Sequence, residues 1–172
     1  MAKKIKKTIN IEDITVEDAL SPDATLEVMD VAASDYDMAV ELTEHPYTSG
    51  ELLHKIFKAH LNNDLQEGEE YNCILSAVVS HRNATADLLL KALQLEADGD
   101  ENIRAFAASN HNADEEVLSK ALEDGDGNVV DAALRNKNMT PQLFVNYIKS
   151  QLKEKDPLFQ LTAFSLLSNI SL

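Results

Sequence analysis

Residues 80–93 read SHRNATADLLLKAL, and residues 109–122 read SNHNADEEVLSKAL. Each opens with a polar turn containing Asn, reaches a residue able to cap a helix (Thr85, Asp114), and ends in an apolar quartet. Residues 135–148, RNKNMTPQLFVNYI, repeat the pattern with a cap at Thr140, and the same offsets recover earlier caps at Thr25 and Ser49. Two positions after the caps stand Glu27, Glu51, Asp87, Glu116 and Gln142. Next come the apolar pairs Val28 and Met29, Leu52 and Leu53, Leu88 and Leu89, Val117 and Leu118, and Leu143 and Phe144. Second pairs follow four residues later: Ala32 and Ala33, Ile56 and Phe57, Ala92 and Leu93, Ala121 and Leu122, and Tyr147 and Ile148.

Physical chemistry gives each offset a reason. The cap oxygen can accept from N–H groups of the first turn, which have no partner inside the helix. A carboxylate two residues on complements the positive end of the helix dipole. Pro141 falls at the first helical position, where its missing N–H costs nothing. Apolar pairs four residues apart share one helical face. Before the later turns lies a second, Ala-rich helix, marked by Ile74, Ala77 and Val78, by Ile103, Phe106 and Ala107, and by Val129, Ala132 and Ala133. The caps are 24, 36, 29 and 26 residues apart. Repetition on that scale is the signature of stacked helical units, since one unit cannot bury its apolar face alone. The fold expected is all-α, a short right-handed α-solenoid of about five helical pairs. Residues 1–19 would be a basic lead and N-terminal cap, and residues 20–172 one repeat domain. Leu53, Leu89, Leu118 and Phe144 should be equivalent core positions. Ile9, Ile11 and Ile14 could pair as a short strand or pack on the first pair. The segments HLNNDLQEGEE at 60–70 and KSQLKEKDP at 149–157 are expected as longer links.

The pattern resembles the leucine-rich variant repeat family, a branch of the HEAT-like α-solenoids. The matching residues are Asn83 and Thr85 with Leu88, Leu89 and Leu93, then Asn102, Ile103 and Arg104 with Ala105, Ala107, Ala108 and Asn110. NVVDAALRN at 128–136 matches again, with Val130 where the family prefers Arg. The resemblance covers roughly residues 20–169 and is strongest over 80–148. It implies a surface that other macromolecules bind, and says little beyond that. Some relatives add an N-terminal cysteine cluster for an iron–sulfur centre; this chain has Cys73 alone, so no such cofactor is expected.

Charge is the second informative feature. The formal net charge is −15 over 172 residues. Lys3, Lys4, Lys6 and Lys7 stand in the lead, and then no Lys or Arg occurs from Thr8 through His54, against twelve Asp and Glu residues. Such a field repels phosphate backbones and attracts basic partners. Solubility is the plainer reading of the same charge. Asp30, Asp35, Asp37, Glu41 and Glu44 are the candidate partner-binding residues, clustered around one helix and its preceding link, with no basic residue expected nearby to neutralise them. The partner expected is a protein with a basic surface, without direct nucleic-acid binding and without a membrane. No apolar run approaches the roughly 20 residues of a membrane span. MAKKIKKTIN lacks the apolar region of a signal peptide, so a cytoplasmic location is expected.

Motifs for chemistry are missing. Asp98 to Asn102 and Asp124 to Asn128 look like the start of a calcium loop, but position six is Ile103 or Val129 instead of Gly. Position twelve is Ser109 or Arg135 instead of Glu. Turns with helix-starting carboxylates are the expected outcome. His45 and His81 occupy one repeat slot, and His54 and His60 are six apart, which is not the i, i+4 spacing of a zinc pair. Cys73, beside Ile74 and Leu75, is expected as a buried thiol. No metal or cofactor is expected, no nucleophile elbow or phosphate loop appears, and an enzyme is not expected. The leading expectation is a non-catalytic protein-interaction module. The alternative is a mimic of nucleic acid that inhibits a DNA- or RNA-binding protein, and a HEAT-like hydrolase or glycosylase is a remote third.

Overall fold

A five-residue turn is the unit from which this molecule is built, and its first residue does most of the local work. In the computed structural model, which describes residues 11–61, 69–96 and 100–154, the turns are 21–25, 45–49, 81–85, 110–114 and 136–140. In each, the backbone N–H of the fourth residue donates to the carbonyl of the first, at 2.9–3.1 Å. The first residue's side chain accepts from the N–H of the third. Ser21 does so from Asp23, His45 from Tyr47, His81 from Asn83, Asn110 from Asn112 and Asn136 from Asn138. The fifth residue then caps the next helix. Thr25 accepts from Val28, Ser49 from Leu52, Thr85 from Leu88, Asp114 from Val117 and Thr140 from Leu143. All five caps predicted from sequence are present.

Ten α-helices flank these turns: α1 Val16–Leu20, α2 Leu26–Ser34, α3 Tyr36–Glu44, α4 Gly50–Leu61, α5 Glu69–Ser80, α6 Ala86–Ala92, α7 Asp100–Ser109, α8 Glu115–Ala121, α9 Gly127–Arg135 and α10 Pro141–Glu154. A 3-10 turn at Ile11–Asp13 precedes them. There is no strand among the described residues, so the all-α class holds. The stretch that could have been a strand ends in that 3-10 turn and buries Ile14; Thr8 to Asn10 lie outside the described residues. Thr15 and Asp18 then form a reciprocal capping box that starts α1, with Thr15 N–H to Asp18 at 2.9 Å and Asp18 N–H to Thr15 at 3.2 Å.

The chain forms two compact units, Met1–Leu88 and Leu89–Leu172. In the first, α1 packs on α3 and α3 on α5, while α2 packs on α4. Consecutive turns are tied there through side chains. The Asn83 amide donates to the carbonyls of Pro46 and Thr48, and the His81 ring bonds the carbonyl of His45. In the second unit α7 packs on α9, with α8 against both. Asn138 donates to the carbonyls of His111 and Ala113, and Asn136 to those of Ala108 and Asn110. Equivalent positions thus make equivalent bonds in both units. Where α4 begins, a Cβ at Gly50 would lie 2.8 Å from Thr85 Cγ2 and 3.1 Å from the Asn83 carbonyl, so a larger residue there would force the 81–85 turn to shift.

Leu53, Leu89 and Leu118 are fully buried, as expected. Phe144 is only half-buried, and Leu143 takes the buried place in α10. Phe106 is exposed, because the buried face of α7 runs through Ile103, Ala107 and Ala108 and leaves Phe106 on its flank. The expected link at 149–157 is helical through Glu154: Lys149 to Glu154 are good helix formers apart from Ser150, with no breaker before Pro157. Of the 60–70 link, His60 and Leu61 end α4, Glu69 and Glu70 begin α5, and residues 62–68 lie outside the described residues.

Candidate functional site

Helix α3 is short, and its sequence divides cleanly between two faces. Ala39, Leu42 and Thr43 are buried. Asp37, Glu41 and Glu44 follow one another at offsets of four and three, which places them together on the opposite face, and all three are exposed. Among the described residues no ion pair reaches any of them. The other two candidates have different roles. Asp35 is the N-cap of α3 and accepts from Met38 N–H at 2.9 Å. Asp30 is an exposed residue of α2 whose carboxylate pairs with the Lys55 ammonium of α4.

This corrects the expectation that no basic residue neutralises the cluster. Helices α2 and α4 pack together, and Lys55 follows Asp30 by 25 residues, close to the 24 that separate the caps Thr25 and Ser49. Superposing the repeats would have found the pair. Linear charge counting could not. What remains is a compact face of three unpaired carboxylates, able to attract cations and to accept hydrogen bonds from Lys or Arg.

Other groupings have structural occupations. The ring nitrogen Nε2 of His54 meets Thr85 Oγ1 at 2.9 Å and Asp87 Oδ2 at 3.6 Å. Both of these partners meet the same nitrogen, and the Thr85 oxygen also caps α6 by accepting from Leu88 N–H. A cleft of about 380 Å³ in the second unit is lined by Leu93, Leu95, Arg104, Lys120 and Asp124 among others. Arg104 does not offer its charge to that cleft: it grips Asp124 through two bonds at 2.8 and 3.3 Å and the Leu95 carbonyl at 3.0 Å. The DGDGN link is a turn, as expected, with Asp126 capping α9 and Asp124 accepting from Asp126 N–H. Asp98, in the matching earlier link, lies outside the described residues.

Cys73 is exposed, contrary to expectation. Among the described side chains of α5, the buried ones are Ile74, Leu75, Val78 and Val79. At about 100° per residue their shared arc centres on the side opposite Cys73. Among the described residues no three His, Cys, Asp or Glu side chains converge as metal ligands. No described helix is long and apolar enough to cross a membrane. No family model, curated protein or solved structure matches the chain.

Proposed function

We propose that this chain is a non-catalytic interaction module that binds a protein with a basic surface through Asp37, Glu41 and Glu44 on the outward face of α3, with Asp30 and Asp35 at its margin. The observation that carries this reading is that, among the described residues, no ion pair reaches the three carboxylates, whereas Asp30, Asp124 and Asp131 each hold a cation. Surface carboxylates without a local partner keep their field for an approaching one, and such fields act chiefly on the rate of encounter. The reading includes the resemblance to leucine-rich variant repeats: HEAT-like helical pairs stacked as a short right-handed α-solenoid over residues 20–172. It is supported separately in each unit by turn-to-turn bonds from Asn and His side chains.

The test is affinity capture with purified protein, wild type beside the triple variant D37K/E41K/E44K, repeated at rising ionic strength. Wild type should retain a protein that the triple variant loses. Retention should fall steeply as salt reduces the screening length from about 10 Å at 0.1 M to about 3 Å at 1 M. Equal retention by both proteins would remove α3 from the interface, and repeated failure to retain anything would contradict the module itself.

A further inference from the structure

Among the described residues, only His60 has buried side-chain nitrogens without a hydrogen-bond partner. The ring lies in the last turn of α4 and is 1% exposed. It meets the ring of Tyr36 edge to face, with centroids 6.4 Å apart and planes at 75°. Tyr36 is the first residue of α3, and Asp35 before it is the cap. A single imidazole of α4 is therefore wedged against the start of α3.

Burying a polar ring whose approach to the Ala33 backbone falls short of a fully formed hydrogen bond is unfavourable, and burying it charged is far more so. Burial accordingly pushes the imidazole below its ordinary value, against smaller opposing effects from the Ala33 carbonyl and the Asp35 carboxylate. These two, with the Tyr36 ring, are the groups that α2 and the start of α3 present to it. Helix α5 also packs on α4; its described side chains, residues 73–80, include no charged group, and Cys73 is exposed.

We propose that His60 is an acid-sensitive latch: on taking up a proton the ring leaves its place against Tyr36 and loosens the start of α3. The sign follows from linkage. The folded value lies below the unfolded one, near 6.5, so the unfolded chain binds more protons as pH falls through that region. The latch is fully closed above about pH 6.5 and weakens below it, each unit of depression being worth a tenfold change in the folding equilibrium. Relief of repulsion in a chain of net charge −15 acts in the opposite direction, so acid weakening is not a general expectation for this molecule. The latch stands apart from the partner reading, because its tests observe the fold alone.

The experiment uses the full chain. NMR follows the imidazole resonances from about pH 8 to about pH 5, spanning the ordinary value, together with the ring contact between His60 and Tyr36. Urea midpoints are measured at about pH 7.5 and about pH 5.5 for wild type and His60→Leu. His60 should titrate below 6.5, its contact with Tyr36 should vanish with the same midpoint, and the urea midpoint of wild type should fall on acidification more than that of His60→Leu. Asp35→Asn keeps the cap but removes the charge that favours the protonated ring, so it should move the His60 titration to still lower pH. Titration of His60 at or above 6.5, or survival of the Tyr36 contact through protonation, would overturn the proposal, and both are read on wild type if His60→Leu does not fold. An equal fall of the urea midpoint in a folded His60→Leu variant would overturn it as well.

Discussion

Asn136 donates its two amide hydrogens to the carbonyls of Ala108 and Asn110, each at 2.8 Å, while its oxygen accepts from Asn138 N–H. One buried side chain thus satisfies three backbone groups, one at the end of α7 and one in each of two turns. Asn136→Ala should cost about 1–3 kcal/mol, the range for leaving buried polar groups unpaired. Asn138→Ala should cost less in the same urea titration, because Asn138 is exposed and water can replace its bonds. Gly50→Ala tests a steric claim: the added methyl meets Thr85 Cγ2 at 2.8 Å and the Asn83 backbone at 3.1 Å, so the variant should be less stable although Ala favours helix. A more stable Gly50→Ala would show that α4 does not approach the 81–85 turn so closely. At this scale the sequence was legible for the caps, whose partners lie three residues away. It was not legible for Asp30 and Lys55, whose meeting depends on how one helix lies against another.

For the helices, the question is which face each one buries. Leu89 in α6 is fully buried, and Leu89→Ala should cost about 2–5 kcal/mol by loss of transfer energy plus the cavity left behind. Phe144→Ala should cost less than the upper end of that range, since Phe144 retains solvent contact. Equal losses would mean that the register of α10 is wrong. Apolar spacing located these helices well because they follow a cap at fixed offsets. The helices before the turns are harder to read: Ala-rich segments such as AFAAS carry little contrast between faces, and the three-residue offset from Ile103 groups Phe106 with the buried face although it is exposed. Cys73 failed for a related reason, since a neighbour in sequence stands about 100° away around the helix. In α1 the Thr15 bonds hold the Asp18 carboxyl below the usual carboxylate range. A depressed folded value means that this contribution is present above about pH 4 and is lost as pH falls further.

The molecule is all-α over its described residues and forms two compact units, strongly acidic, with a long cation-free stretch ending at His54. Overall charge was evident from the first reading, but its distribution was not. Asp30 is paired with Lys55 and Asp35 caps α3, so the field left open to a partner narrows to Asp37, Glu41 and Glu44. That narrowing is the central functional claim, and association kinetics test it most directly. The protein retained in affinity capture is mixed with wild type and with D37K/E41K/E44K, and both rate constants are followed as salt rises. The account predicts association slowed by at least about tenfold in the triple variant, with the gap closing at high ionic strength and dissociation changed much less. Unchanged association, with a salt dependence identical to wild type, would show that the face of α3 is only a solvated helix surface.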